Sequence, residues 1–372
     1  MAEWIECKIS DIGTVVGGAT PSTKKPENYE NGTIAWITPK DLSTFNGRYI
    51  QHGERNITET GLKSCSTQLL PKNTVLFSSR APIGYVAIAA NDVCTNQGFK
   101  SVIPNENTNP LFLYYLLKYN KDKIEGMGSG TTFKEVSGNT MKNIVVSVPT
   151  DKKVQERISS MLGSIDDKIE ENERINNNLE QQAQAIFDNM FPNTSSGDKF
   201  IGDFITPKRG KNLLSKNAIF GDVPVVAGGL EPSTYHNVSN TQAPVLAISA
   251  SGANAGYVSL WNTPIWSSDS SYIDSSMTND VYFWYVLLKK RQTEIFDTQT
   301  GSAQPHIYPQ HIATMPITNI SNDDISTFTN TVTPIFERIG HNKAENIRLS
   351  ALRDTLLPKL MSGELDVSDI DL

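Results

Sequence analysis

The sequence feature that most constrains the fold of this chain is a long internal repeat. Each copy contains an apolar segment, a small polar turn and the tripeptide Gly-Tyr-Val, at residues 84–86 and again at 256–258, 172 residues later. An aromatic, leucine-rich segment follows each tripeptide, beginning at Pro110 and at Asp280. A chain of 372 residues is also too long for one typical core. The repeat therefore predicts two similar domains.

A heptad-like pattern follows each copy. Apolar and asparagine side chains recur in steps of four and three, which is the spacing of a coiled-coil seam. A buried asparagine on such a seam fixes the register of a helix at a cost in stability. For either seam taken singly, the core-facing side of an ordinary amphipathic helix is the alternative. The seam residues are Ile165, Ile169, Asn172, Asn176 and Leu179 in the first copy and Ile335, Ile339, Asn342, Asn346, Leu349 and Leu356 in the second.

The two seams predict two long helices. The first should cover residues 151–191. The second should be the shorter stretch 335–361, because Pro334 disrupts a helix interior and should start or kink this helix. We expect the helices to pack antiparallel, so that the duplicated unit forms a pseudo-two-fold contact.

The predicted organisation alternates globular blocks with helices. The blocks cover residues 1–150 and 196–320, a helix segment covers 151–195, and a helix with a tail covers 321–372. Each block should be an α+β domain, a twisted sheet with small helices.

The net charge of −7 argues against a chain that coats nucleic acid by charge alone. The acidity is concentrated in the helical segments, since residues 151–195 and 321–372 each carry 5 basic and 9 acidic side chains. Residues 1–150 carry 15 basic and 13 acidic side chains, and residues 196–320 carry 8 and 9. Nearly neutral blocks leave room for a local basic face.

Nothing in the sequence predicts a membrane span, a disulfide or a metal site. The longest purely apolar run, residues 281–288, is far shorter than the ~20 residues of a span. The three cysteines are far apart and odd in number, so they fit neither a disulfide framework nor zinc-ligand spacing. His306 and His311 have no acidic or cysteine cluster beside them. We therefore expect a cytoplasmic protein with reduced thiols and no metal.

The motifs of a stand-alone enzyme are also missing from the sequence. The string Asn-Pro-Leu-Phe at 109–112 lacks the second proline of an adenine-methyltransferase motif, and its proline suits the first turn of a helix. No G-x-x-x-x-G-K-[ST] loop is present for a nucleotide-driven motor. Asp166-Asp167-Lys168 has the residue types of a nuclease site, but on the heptad helix it is interpreted as a solvated face. We predict no catalytic residue and no cofactor bound by this chain.

Three local sequences resemble the specificity subunit of type I restriction-modification systems. They are Gln-Glu-Arg-Ile at 155–158 leading into 165–172, Gln-Ala-Ile-Phe-Asp-Asn-Met-Phe at 184–191, and Leu-Arg-Asp-Thr-Leu-Leu-Pro-Lys-Leu-Met-Ser-Gly-Glu-Leu at 352–365. The order of block, helix, block and helix extends the resemblance over essentially the whole chain.

The resemblance implies two target-recognition domains that read the two halves of a split double-stranded DNA site. It implies that the paired helices act as a spacer and as the docking surface for modification subunits, of which we expect two. Those partners would methylate adenine with S-adenosylmethionine, and restriction motor-nuclease subunits would use ATP and Mg²⁺ for cleavage.

Candidate DNA contacts are basic and amide side chains in turn-rich stretches, because loops on a rigid scaffold usually carry recognition. Arg and Lys can bond guanine, and Asn and Gln can bond adenine. For any single candidate, a solvated lysine or an amide that caps its own backbone is the alternative. The candidates are Lys24, Lys25, Lys40, Arg80, Asn96, Gln97 and Lys134 in the first block and Lys208, Arg209, Lys211, Ser251, Asn254, Gln299, Gln304 and His306 in the second.

Arg80 and Asn254 occupy corresponding turns before Gly84 and Gly256. Different residues at matching places suit two domains that read different half-sites. The rival interpretation is a duplicated protein-binding adaptor whose helices form a dimerisation rod, without DNA specificity. A stand-alone hydrolase or methyltransferase is disfavoured by the missing motifs.

Overall fold

The computed structural model describes residues 3–80, 82–130, 134–301 and 304–367. The chain divides into two compact units, Met1–Glu170 together with Ile347–Leu372, and Glu171–Asn346. The architecture is a mixture of helix and sheet, as predicted. Across the described ranges, no helix combines the length and the apolar character that a bilayer crossing requires.

The strands that precede the first long helix are Trp4–Lys8 (β1), Gly13–Gly17 (β2), Ile34–Ile37 (β3), Tyr49–Ile50 (β4), Arg55–Ile57 (β5), Val75–Phe77 (β6), Val86–Ala89 (β7), Cys94–Thr95 (β8), Lys100–Pro104 (β9) and Val145–Pro149 (β10). The helices in the same stretch are Ile9–Ile12 (α1), Pro39–Ser43 (α2), Glu59–Lys63 (α3), Pro110–Tyr119 (α4), Lys121–Gly126 (α5) and Gly138–Asn143 (α6), and the first long helix is Lys152–Met190 (α7).

The strands that follow are Lys199–Phe200 (β11), Lys208–Arg209 (β12), Val223–Val226 (β13), Thr234–His236 (β14), Val245–Ser249 (β15), Val258–Trp261 (β16), Trp266–Ser267 (β17), Ser270–Asp274 (β18) and Pro316–Ile317 (β19). The helices are Val281–Lys290 (α8), Gln292–Asp297 (α9), Pro309–Ala313 (α10) and the second long helix, Asn322–Met361 (α11).

The first unit is built on a five-stranded sheet in the order β2-β9-β6-β7-β4, beside a three-stranded sheet β5-β3-β8 and the pair β1-β10. Helix α4 begins where the Asn109 side chain accepts a hydrogen bond from the Phe112 N–H at 2.9 Å, with Pro110 in the first turn. Its residues 112–117 are all buried. They pack in one core with Ile158 and Leu162 of α7 and Leu360 of α11, so both long helices contribute to this core.

The second unit is built on a four-stranded sheet in the order β12-β18-β15-β16, beside a three-stranded sheet β14-β13-β17 and the pair β11-β19. Helix α8 is buried along residues 281–288. Phe187 of α7 lies with its ring 5.6 Å from that of Phe283 on α8 and 5.4 Å from that of Phe328 on α11. Apolar burial of this extent is the main stabilising term of the unit.

The Gly-Tyr-Val tripeptides lie in equivalent tight turns, β6 to β7 and β15 to β16. Gly84 has a φ of +98° and Gly256 a φ of +87°, where a side chain is strained. A Cβ on Gly256 would also lie 2.9 Å from the Ile295 side chain. The glycine therefore meets a backbone requirement in both turns.

Helix α7 confirms the predicted helix over 151–191, but the predicted start of the second helix near Pro334 is wrong. Helix α11 begins at Asn322, twelve residues earlier than Pro334. Pro334 is exposed, while Ile325, Phe328 and Val332 ahead of it are buried. A proline inside a helix costs about 3 kcal/mol, and each buried apolar side chain contributes about 1.5–3 kcal/mol. Burial therefore outweighs the proline.

Within the second unit, the asparagines of the two seams meet in pairs. The Asn342 side chain donates to the Asn176 side chain at 2.8 Å, and Asn172 donates to Asn346 at 2.8 Å. Because the residue number rises along one helix as it falls along the other, the two segments run in opposite directions here. Of the apolar seam residues, Ile339 is buried, and the remainder are half-buried: Ile165, Ile169, Leu179, Ile335, Leu349 and Leu356.

Within the first unit, the interpretation of Asp166 as part of a solvated face is wrong. Asp166 is only 5% exposed. Its carboxylate accepts hydrogen bonds from the Tyr115 hydroxyl at 2.6 Å and from the Arg353 guanidinium at 2.8 Å. The neighbouring Asp167 pairs with the buried Arg48. A buried carboxylate needs such partners, and here they link α4, α7 and α11.

Candidate nucleic-acid interface

The first unit carries a charged group at the end of β6, called here the first cluster: Arg80, Lys100 and Glu135. Arg80 Nε lies 3.0 Å from a carboxylate oxygen of Glu135, and Lys100 Nζ lies 3.4 Å from the other. The Arg80 side chain is 46% exposed, while that of Lys100 is largely buried. The cluster therefore offers one accessible guanidinium, held by a carboxylate.

Backbone hydrogen bonds position the first cluster. The Ser79 N–H donates to the Gly98 carbonyl at 2.7 Å, and the Ser79 carbonyl accepts from Val136 N–H at 2.9 Å. The backbone of Glu135 is bridged to both Arg80 and Ser129. Three chain segments thus meet at Arg80, so its backbone is fixed although its side chain reaches solvent.

The neighbouring charges change the pKa of the Glu135 carboxyl. Burial alone would raise its pKa, but the hydrogen bond from Arg80 and the positive charges of Arg80 and Lys100 together lower the pKa below the ordinary glutamate value. Glu135 is therefore an anion at neutral pH, able to hold Arg80 or to accept a hydrogen bond.

The second unit carries an analogous group, called here the second cluster: Arg209, Ser251, Asp269 and His306. Arg209 Nη2 lies 2.6 Å from a carboxylate oxygen of Asp269, and the Ser251 hydroxyl donates to the other oxygen. The backbone of His306 is bridged to Ser251 and to Thr300. The structure therefore brings together three of the sequence-predicted candidates, Arg209, Ser251 and His306.

Other candidates have local structural roles. The Asn96 side chain accepts a hydrogen bond from the Gly98 N–H at 2.9 Å. The Gln97 side chain contacts the Thr20 hydroxyl. The Gln299 side chain donates to the Ala255 carbonyl at 2.8 Å. These amides stabilise turns. Lys40, on α2, forms an ion pair with Glu54 at 2.8 Å. Asn254 is half-buried in its turn, and the remaining candidates are exposed: Lys24, Lys25, Lys134, Lys208, Lys211 and Gln304.

Sequence reasoning missed Lys100, Glu135 and Asp269. The criterion of basic and amide side chains in turns selects neither acidic residues nor a lysine on a strand. A signal for Glu135 was available, since it adjoins Lys134 in the glycine-rich stretch of the first block. Among the described residues, no group of three or more histidine, cysteine or acidic side chains is arranged to hold a metal ion.

Comparison with known proteins identifies the class. A family model for the type I restriction modification DNA specificity domain matches residues 1–181. The chain is 33% identical over 411 aligned residues to the type I restriction enzyme MjaIX specificity subunit of Methanocaldococcus jannaschii, covering 99% of this chain and 95% of that protein. The chain therefore belongs to the family of type I restriction-modification specificity subunits.

Two further comparisons extend over nearly the whole chain. The type I restriction enzyme HindI specificity subunit of Haemophilus influenzae is 22% identical, with 98% of this chain and 100% of that protein covered. The crystal structure of a type I restriction-modification S subunit from M. genitalium superposes with a TM-score of 0.61 at 19% identity, covering 99% of this chain and 97% of that one. This last likeness is one of fold.

Proposed function

We propose that the chain reads a bipartite DNA target, one half with each unit, through the first and second clusters. The observation that supports the proposal is that both clusters have the same pattern of backbone bridges with different side chains at the bridged positions. In the first cluster Glu135 is bridged to Arg80, and in the second cluster His306 is bridged to Ser251 in the same way. By this pairing the counterpart of Arg80 is Ser251, not Asn254.

The sheet orders support the duplication on which this proposal depends. The order β2-β9-β6-β7 in the first unit has the same sequence of pairings as β12-β18-β15-β16 in the second. A parallel pair follows in each, β3 with β8 and β13 with β17. To read two half-sites of different base sequence, two domains need the same backbone arrangement and different side chains at the positions that contact DNA.

The clusters have the chemistry for reading bases. An exposed ion pair is worth only about 0–1 kcal/mol, so Arg80 and Arg209 can leave their carboxylates for a guanine edge or a phosphate at little cost. The freed carboxylates of Glu135 and Asp269 can accept a hydrogen bond from cytosine N4. The same carboxylates repel phosphate when no base donor replaces the arginine, which favours selectivity over affinity.

We propose that catalysis belongs to partner subunits. The resemblance to the family supports two modification subunits that methylate adenine with S-adenosylmethionine, and restriction subunits that use ATP and Mg²⁺. The long helices α7 and α11 would serve as the spacer between the reading units and as the docking surface for these partners. Helix α7 carries 8 acidic and 5 basic side chains, which leaves the DNA contacts to the nearly neutral blocks.

The test is DNA binding by the chain assembled with its modification subunits. Fluorescence anisotropy would measure the affinity of this complex for a duplex with the sequence that the complex methylates. The same measurement on duplexes in which one half-site is scrambled, at several salt concentrations, provides the comparison. Arg80→Ala should weaken binding and abolish discrimination at one half-site, while Arg209→Ala should do so at the other. Unchanged affinity for Arg80→Ala at every salt concentration, or loss at the same half-site for both variants, would count against the proposal.

A further inference from the structure

An apolar tip projects from the second unit between β12 and β13. Phe220 is 97% exposed and its neighbour Ile219 is 61% exposed. Leu214, six residues earlier, is also exposed. A phenylalanine with almost its whole ring in water gives nothing to the stability of its own fold, because no apolar surface is buried. Its exposure is therefore not explained by the fold of the unit alone.

The backbone on both sides of Phe220 is braced. The Ile219 N–H donates to His236 Nδ1 at 3.0 Å. At Gly221 an added Cβ would lie 2.4 Å from Asn237 Cα and 2.5 Å from the His236 carbonyl oxygen, so this glycine lets the chain lie directly against the end of β14. Held at 219 and 221, the tip presents the Phe220 ring outward instead of folding it onto the sheet.

The brace continues into the core of the unit. His236 is buried, with its ring edge-on to Trp266 at 5.1 Å. Trp266 Nε1 donates to the Lys211 carbonyl at 2.8 Å. The base of the tip-bearing segment is therefore tied to β17, and the end of the segment is tied to β14.

Charge on the tip indicates which ligand it fits. Lys211 and Lys216 are exposed on the same segment as Phe220, which also carries the exposed Asp222, so the segment has a net charge of +1. The Lys211 N–H donates to the Ser267 carbonyl and the Leu213 N–H donates to the Ser268 hydroxyl, both at 2.9 Å. The next residue, Asp269, belongs to the second cluster. The tip is thus continuous in the chain with the surface proposed to read DNA.

We propose that Phe220 is a wedge that enters the DNA base stack beside the half-site read by the second unit. An apolar side chain between two base pairs partly unstacks them and kinks the duplex. Lys211 and Lys216 would hold the flanking phosphates. Protein interfaces are depleted of lysine at their centre, so an exposed apolar tip on a segment with two exposed lysines fits a base step better than a protein surface. This inference rests on the proposed function.

The experiment uses the chain assembled with its modification subunits and target duplexes that carry 2-aminopurine at successive positions in and beside each half-site. Unstacking raises the fluorescence of this base analogue. At the adenines that the modification subunits methylate, base flipping also raises the fluorescence; apart from those, the wild-type complex should give a bright position beside one half-site only. Phe220→Ala should remove that signal and weaken binding about 10-fold, which corresponds to about 1.4 kcal/mol, because stacking of a base on an aromatic ring is lost.

Two further variants make the test specific. Phe200→Ala is the matched control, since Phe200 is a 50% exposed phenylalanine of the same unit on β11; it should keep both the signal and the affinity. Phe220→Trp should restore both. A Phe220→Ala complex that retains either the bright position or the wild-type affinity overturns the wedge. So does one that no longer assembles with its partners, which would make the tip a protein-docking surface. A wild-type complex without any DNA selectivity would instead overturn the proposed function itself.

Discussion

Replacing Asp166 with alanine should lower the free energy of unfolding of the first unit by about 3 kcal/mol. Asp166 is buried and bonds both the Tyr115 hydroxyl and Arg353. Removing one partner of a buried pair costs about 3–5 kcal/mol, because a charge is left without its counterpart. The lower end applies here, since the Arg353 side chain is 20% exposed and keeps Asp354 at 2.8 Å.

Hydrogen exchange followed by mass spectrometry measures this change. A loss of about 3 kcal/mol corresponds to exchange about 150-fold faster at the amides of α4 and of residues 152–170 of α7, provided that exchange there is limited by opening of the unit. The peptides of α8 in the second unit should exchange as in the wild type, which shows that the effect is local.

The matched control is Asp354→Ala, which removes the other carboxylate bonded to the same arginine. Asp354 is 65% exposed, and a solvated pair contributes at most about 1 kcal/mol. Exchange in this variant should therefore change less than about fivefold. If Asp166→Ala exchanges no faster than Asp354→Ala, the buried link is not what holds α4 to the long helices.

Three further outcomes are expected. Asn342→Leu should lower the free energy of unfolding of the second unit by about 1–3 kcal/mol, because it leaves the buried Asn176 amide without its partner, and Asn176→Leu in addition should restore that stability in chemical denaturation. Carbon-detected NMR should show that the pKa of the Glu135 carboxyl is below the ordinary glutamate value. The contribution of this group to stability is present above its unfolded-state pKa and is lost as the pH falls through its lowered folded-state pKa. Arg80→Ala should raise the pKa of Glu135. Gly256→Ala should destabilise the second unit by about 1–2 kcal/mol in thermal unfolding, whereas a change below about 0.3 kcal/mol would show that the left-handed turn is not required.

The sequence predicts features that depend on local spacing. The heptad steps predict α7, and the Gly-Tyr-Val tripeptides mark two turns of positive φ at Gly84 and Gly256. The early start of α11 could not be predicted this way. The proline rule is local, while the burial of Ile325 and Phe328 that overrides it depends on tertiary packing.

The candidate clusters show the same division. Turn composition selects Arg80, Arg209 and Ser251, but not the carboxylates that orient them. Asp269 lies 60 residues from Arg209 along the chain, and Asp166 lies 187 residues from Arg353. Pairings at such separations are set by sheet order and helix packing, which composition does not encode.

The most direct test of split target reading is the methylome of a host carrying its modification subunits, sequenced with and without this gene. The account predicts an adenine-methylated motif of two short specific halves separated by unspecified bases, present only with the gene. Arg80→Ala and Arg209→Ala should each relax a different half of that motif. A methylome that does not depend on the gene, or a motif that both variants relax in the same half, would contradict the account.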